Sequence, residues 1–222
     1  MTGLRTGLFK EVEELKKEVS MMADLVLKQI NSALLAFKEN DVEKAKIIMS
    51  QDNLVDKMEE DIAKSALRII WKEQPLAQDL RLVTGVLKLI TDLERIGDHA
   101  VDIAEITLHL SNVPNQRIIP LITEMSIESE KMVLLAIEAL VKQNKSDAEK
   151  VILADDIVDD LFALVMSKIA QELKEDVHIS QEYALSLLMI AKYIERVSDH
   201  AVNIAEWVIF IVTGKHKETD LF

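Results

Sequence analysis

Apolar residues recur at three- and four-residue spacing along almost the whole chain. Leu15, Val19, Met22, Val26 and Ile30 form one such series, and this spacing is that of one face of an α-helix. Polar and proline-containing breaks divide the pattern, and they predict six helices at about residues 4–39, 41–73, 76–111, 120–143, 146–174 and 180–213. Because long helices joined by short connections pack as antiparallel neighbours, we expect helical bundles.

The predicted helix ends carry capping signals. Asn40 with Glu43, and Ser146 with Glu149, have the spacing of a capping box at a helix start. Gly214 follows the last apolar turn and is predicted to be the C-cap of the final helix.

The sequence also repeats itself. Residues 93–105 read LERIGDHAVDIAE, and residues 194–206 read IERVSDHAVNIAE. The offset from Glu94 to Glu195 is 195 − 94 = 101 residues, and a second match from Asp52 to Asp155 has an offset of 155 − 52 = 103 residues. The predicted fold is therefore all-α, with two pseudo-repeated antiparallel three-helix bundles made of residues 1–113 and 114–222.

The amino-acid composition excludes several kinds of fold and function. Only three prolines and five glycines in 222 residues argue against an all-β sandwich or barrel. With 39 acidic and 26 basic residues the formal charge is −13, which disfavours nucleic-acid binding. The absence of cysteine excludes thiolate chemistry, cysteine metal sites and disulfides.

No apolar stretch is long enough to span a membrane. The longest uninterrupted apolar runs, Trp207–Val212 among them, have six residues, against about 20 for a bilayer crossing. The first residues turn charged too early for a signal peptide, so we expect a cytoplasmic protein. The run Trp207–Val212 is apolar on all sides, which requires cover either from packing between the bundles or from a dimer or partner interface.

Carboxylates form a second pattern beside the apolar face. Glu94 and Asp98 are four residues apart, as are Glu195 and Asp199 in the second half. The pairs Asp52/Asp56 and Asp155/Asp159 have the same spacing on the preceding helices. Like charges at this spacing cost a helix about 0.2–0.5 kcal/mol per pair, so their presence in both halves suggests a compensating partner.

Two interpretations of these carboxylates remain open at this point. Hard cations prefer oxygen ligands, and a carboxylate pair from each of two neighbouring helices supplies four. Alternatively, the carboxylates form a solvated acidic face, in which Arg95–Asp98 and Arg196–Asp199 are ion pairs within one helix.

The duplicated ExxxD segments, together with QPLAQDLR at residues 74–81, give the chain a resemblance to the PhoU family of phosphate-signalling regulators. The resemblance covers essentially the whole length. It implies a non-enzymatic, cytoplasmic negative regulator of high-affinity phosphate uptake. It also implies contacts with the ATPase subunit of the phosphate ABC transporter and with a membrane sensor histidine kinase, which would place the protein at the inner face of the membrane. We further expect a homodimer.

The resemblance also implies a metal, namely iron, Mn²⁺ or Mg²⁺, and no organic cofactor or catalytic residue. The residues that match the family's metal motifs are Asp52, Asp56, Glu94, Asp98 and Asp102 in one half, and Asp155, Asp159, Glu195 and Asp199 in the other. Asn203 stands where the first half has Asp102, so unequal metal affinity of the two halves is expected.

Two other functions compete with this interpretation. A carboxylate-bridged di-metal hydrolase or oxidase requires open metal positions and a substrate-sized cavity. A metal-free helical scaffold requires neither. A turnover assay separates the first from the regulator, and metal analysis separates the second.

Overall fold

The computed structural model describes the backbone of residues 2–111, 120–174, 180–216 and 219–220, and the side chains of residues 7–111, 120–174 and 180–216. The helices in these ranges are α1 (Thr2–Glu39), α2 (Val42–Ser50), α3 (Asp52–Glu73), α4 (Ala77–His109), α5 (Pro120–Lys142), α6 (Lys145–Lys174) and α7 (Gln181–Thr213). Two strands of two residues each, β1 (Lys215–His216) and β2 (Thr219–Asp220), pair antiparallel after α7. The all-α prediction is confirmed.

The helix predicted over residues 41–73 is interrupted at Gln51, which separates α2 from α3. Gln51 donates its N–H to Ile48 O at 3.0 Å and accepts from Leu54 N at 2.9 Å, so the chain turns tightly and then resumes. No proline or glycine marks this position, and the apolar spacing therefore gave no signal. The corresponding part of the second half, α6, is continuous.

The capping boxes predicted at Asn40 and Ser146 are wrong in position. Asn40 adopts a left-handed conformation (φ 52°) that ends α1, and the next residue, Asp41, caps α2 by accepting from Lys44 N at 2.9 Å. In the same way Asn144 accepts from Ser146 N at 3.0 Å at the start of α6. The side chain that satisfies the free N–H groups thus lies one residue later than predicted at α2 and two residues earlier than predicted at α6.

Two further predicted boundaries are the end of the last helix and the division between the two bundles. Gly214 is the C-cap of α7, as expected, with φ 83° and its N–H donated to Phe210 O at 2.7 Å. The predicted boundary between residues 113 and 114 lies outside the described residues, and the division into two domains stays a prediction.

The helices pack in two groups, α1 to α4 and α5 to α7, and α4 runs along α7 between them. The interior holds large side chains that are almost fully buried, among them Leu15, Met22, Phe37, Leu89, Leu93 and Ile122.

The close approach of α4 to α7 occurs where Gly85 faces Ile211. A Cβ on Gly85 would lie only 2.6 Å from Ile211 Cγ1, so a larger residue would separate the helices. Arg81 Nε donates to Ile211 O at 3.2 Å in the same region. Val208, Phe210 and Ile211 are buried, so packing between the two groups of helices covers the inner side of the apolar run Trp207–Val212.

Candidate metal centre

The first acidic groove, defined by Asp52, Asp56, Glu94 and Asp98, lies between α3 and α4. Gly97 allows the two helices to approach here, since a Cβ at this position would lie 3.1 Å from Val55 Cγ1. Gly97 and Val55 directly precede Asp98 and Asp56 in the sequence. The short helix-to-helix distance therefore holds the four carboxylates along one groove.

The carboxylates of the first acidic groove act on one another electrostatically. Burial, and then the negative charges of Asp56 and Asp98, raise the pKa of Asp52. Burial also raises the pKa of Glu94, with Asp98 and Asp56 adding to the effect and Arg95 opposing it. Each helix thus acts on a carboxylate of the other.

The second acidic groove, defined by Asp155, Asp159, Glu195 and Asp199, lies between α6 and α7. Burial, followed by repulsion from Asp159, Asp199 and Glu195, raises the pKa of Asp155 to about 6. Partial burial and Glu195 raise the pKa of Asp199, and Asp159 adds to this from the facing helix. The two grooves are therefore equivalent in position and in sign of charge.

The carboxylates of the first acidic groove fit a hard cation by their chemistry. Glu94 Oε2 is buried and accepts no hydrogen bond, although Arg95 Nε lies 3.4 Å away. A buried carboxylate oxygen without a donor is unfavourable, and a cation would satisfy it. As the side chains stand, however, no three Asp, Glu or His residues within the described ranges are placed to hold one ion. Binding therefore requires the carboxylates to turn towards a common point.

Basic side chains form ion pairs with some carboxylates of both acidic grooves. Arg95 Nη1 lies 2.7 Å from Asp98 Oδ2, which confirms the first of the two ion pairs expected for a solvated acidic face. Within the part of the chain that the structure describes, Arg196 forms no ion pair with Asp199. Instead, Lys192 pairs with Glu195. This pairing was not predicted, although Lys192 lies three residues before Glu195, which is the spacing of an ion pair within one helix.

Asp102 and Asn203 engage in contacts of their own, at the interface between α4 and α7. Asp102 Oδ2 lies 3.1 Å from Nδ1 of His99, and Asn203 Nδ2 donates to Asp92 Oδ1 at 3.1 Å. Burial lowers the pKa of His99, which favours its neutral form, and Asp102 opposes this effect. A direct role of Asp102 in holding a metal stays a prediction.

The histidines pack at the same interface. The ring of His99 stacks on Tyr193 with centroids 5.4 Å apart and lies 5.8 Å from the ring of His200. Nδ1 of His200 lies 2.9 Å from Asp92 Oδ1. The ring contacts of His99 and the bond of His200 to Asp92 thus join α4 to α7.

None of the described helices combines the length and the hydropathy that a bilayer crossing requires. The chain is similar in sequence to proteins described as phosphate-specific transport system accessory protein PhoU homologs. One, from Clostridium acetobutylicum, is 32% identical over 206 residues, covering 92% of this chain and 94% of that protein. Another, from Aquifex aeolicus, is 36% identical over 189 residues, covering 85% of each.

The fold is similar to that of solved structures with corresponding names. The crystal structure of PhoU from Pseudomonas aeruginosa has a TM-score of 0.84 and 30% identity, covering 93% of this chain and 99% of that one. That of the phosphate transport system regulatory protein PhoU from Streptococcus pneumoniae has a TM-score of 0.86 and 27% identity, covering 94% of this chain and 98% of that one. The PhoU domain profile matches residues 19–107 and again residues 122–208. The chain therefore belongs to the PhoU domain family.

Proposed function

We propose that this chain is a cytoplasmic accessory protein of phosphate transport that lowers high-affinity phosphate uptake and binds divalent metal ions in its acidic grooves. The names of the relatives, which call them accessory or regulatory proteins of phosphate transport, support the transport role and a non-enzymatic one. The observation that carries the metal proposal is the buried Oε2 of Glu94, which accepts no hydrogen bond although three further carboxylates share its groove.

The residues of the first acidic groove have distinct tasks in this proposal. Glu94 and Asp98 would hold the ion from α4, while Asp52 and Asp56 would hold it from α3. A bound divalent cation supplies the positive charge that removes the repulsion among these carboxylates. Arg95 leaves Glu94 and Asp98 when they turn into the groove. The contact between α3 and α4 is then fixed by four side chains that repel one another in the metal-free protein.

Equilibrium binding of Mn²⁺ to the chelator-treated full chain tests the metal proposal. The double variant Glu94→Gln/Asp98→Asn should lose binding in the first acidic groove. Glu60→Gln is the matched control, because Glu60 lies exposed on α3 and pairs with Lys64 at 2.9 Å. Equal Mn²⁺ affinity and stoichiometry of the double variant and the control would overturn the proposal for this groove.

The regulatory proposal requires partners. We infer that the chain contacts the ATPase subunit of the phosphate ABC transporter and a membrane sensor histidine kinase. Affinity purification of the tagged chain from cells grown at high and at low phosphate should recover both, with a recovery that depends on phosphate. Recovery of neither protein under either condition would contradict the adaptor role. The expected homodimer is tested by sedimentation of the same preparation.

A further inference from the structure

The two acidic grooves differ one helical turn beyond their shared carboxylates. In the first groove Glu59 follows Asp56 by three residues, Thr91 precedes Glu94 by three, and Thr91 Oγ1 donates to Glu59 Oε1 at 2.9 Å. The equivalent positions in the second groove hold Phe162 and Lys192, at the same offsets of 162 − 59 = 103 and 192 − 91 = 101 residues.

Lys192 is held in the second acidic groove by two contacts. Its Nζ forms an ion pair with Oε2 of Glu195, whose side chain is only 14% exposed. The same Nζ lies 5.5 Å from the centre of the Phe162 ring, within the range of a cation–π contact. The ammonium group also favours the ionised form of Asp199, opposing the rise in the pKa of that residue. One lysine therefore acts on two of the four carboxylates.

One helical turn beyond its four carboxylates, the first acidic groove carries a further negative charge, where the second carries the positive charge of Lys192. Glu59 adds a negative charge that contributes to raising the pKa of Glu94. The resident cation there is Arg95, whose side chain is 56% exposed against 39% for Lys192. The structure gives Arg95 no aromatic contact in the described chain. Arg95 can therefore move into water without losing a packed partner, whereas Lys192 loses its contact with Phe162.

We propose that Lys192 is a tethered cation that competes with a metal ion for the second acidic groove, so that the first groove binds a divalent cation more tightly. This inference rests on the proposed metal binding. The ammonium group of Lys192 must leave Glu195 before this carboxylate can bind a metal. Phe162 opposes this, because it stabilises Lys192 in its position beside Glu195. Lys192 and Phe162 are thus the residues that determine the difference in affinity, independently of Asp102 and Asn203.

The experiment is Mn²⁺ titration of the full chain, read by the electron paramagnetic resonance signal of free Mn²⁺. The background is Glu94→Gln/Asp98→Asn, so that only the second groove is intact. Adding Lys192→Thr should raise the affinity of the remaining site about five- to tenfold, the effect of removing one close ion pair at a half-buried site. If Lys192→Thr folds poorly, Lys192→Gln replaces it, because glutamine has a long side chain that can still pack on Phe162. Lys192→Gln should also raise the Mn²⁺ affinity of the second groove.

Lys168→Thr in the same background is the matched control. Lys168 lies on α6 and its side chain is 44% exposed, so its loss changes the net charge equally. An affinity for Lys192→Thr and Lys192→Gln that equals the control overturns the inference, and so does absence of second-groove binding in all three. Failure of the proposed metal binding has a different signature, because the chain without any substitution then binds no Mn²⁺ in its first groove.

Discussion

Asp92 on α4 holds two side chains of α7 at once, since its Oδ1 lies 2.9 Å from His200 Nδ1 and accepts from Asn203 Nδ2 at 3.1 Å. The residue equivalent to Asp92 in the second half, at an offset of 101, is Tyr193, which stacks on His99. His99 has its carboxylate from Asp102 on its own helix. The first half thus has Asp92 and Asp102 where the second half has Tyr193 and Asn203. Each histidine nevertheless contacts one carboxylate, His99 that of Asp102 and His200 that of Asp92.

We therefore expect Asp92→Ala to lower the free energy of unfolding by about 1–3 kcal/mol, because it leaves His200 and Asn203 without their acceptor at a half-buried interface. Urea unfolding followed by circular dichroism measures this. Lys88→Ala, at an exposed position of α4, is the control and should change the stability by less than about 0.5 kcal/mol. Equal midpoints for the two variants would show that the Asp92 contacts contribute nothing.

The two buried glycines of α4 should respond differently to alanine. A Cβ at Gly85 would meet Ile211, which is fully buried and cannot move aside, at 2.6 Å from Cγ1 and 2.7 Å from Cδ1. We expect Gly85→Ala to destabilise the protein by about 1–3 kcal/mol through overpacking. At Gly97 the nearest atom, Val55 Cγ1, is 3.1 Å away, and the gain in helix propensity of up to about 1 kcal/mol offsets part of the strain. Thermal unfolding that ranks Gly97→Ala below Gly85→Ala would contradict this.

The raised pKa of Asp155 predicts a pH dependence of stability. A carboxyl group that titrates near pH 6 when folded, against 3.8 when unfolded, binds its proton more tightly in the folded chain. Stability of the metal-free protein should therefore fall as the pH rises from about 4 to about 6, and the loss should persist at pH 7.

Asp155→Asn removes this loss. One pKa unit corresponds to about 1.4 kcal/mol, and solvent screening reduces the effect at a half-buried site, so we expect a gain of about 1–2 kcal/mol at pH 7. At pH 4 and below, the gain should shrink towards zero. Urea unfolding at both pH values in the presence of a chelator measures it, with Asp160→Asn, an exposed carboxylate of α6, as control. A gain that is the same at pH 4 and pH 7 would rule out titration as its source.

The position of the α2 cap gives a further prediction. Asp41→Ala removes the side chain that accepts from Lys44 N and should cost about 1 kcal/mol of stability. Asn40→Gly should be neutral or slightly stabilising, because glycine adopts the left-handed conformation of residue 40 without steric strain. Chemical unfolding of both variants shows which residue caps α2. A larger loss of stability for Asn40→Gly than for Asp41→Ala would identify Asn40 as the cap.

The apolar spacing predicted the helices well, because long amphipathic stretches such as α1 and α7 bury one continuous face. It also placed the facing carboxylate pairs, since residues four apart share a face. The break at Gln51 was not predicted, because it arises from how α2 and α3 pack on their neighbours and no residue signals it. The contacts Asp92–His200 and Lys192–Phe162 each join two helices, so the residue spacing within a single helix does not predict them.

The break at Gln51 has an electrostatic consequence for the first acidic groove. It makes Asp52 the first residue of α3, where the unpaired N–H groups of a helix start carry about half a positive charge. Asp155, its counterpart, lies in the middle of the continuous α6 and receives no such field. The helix dipole therefore stabilises the carboxylate anion of Asp52 alone. A single break in one helix therefore gives two matching carboxylates of a duplicated chain different electrostatic surroundings.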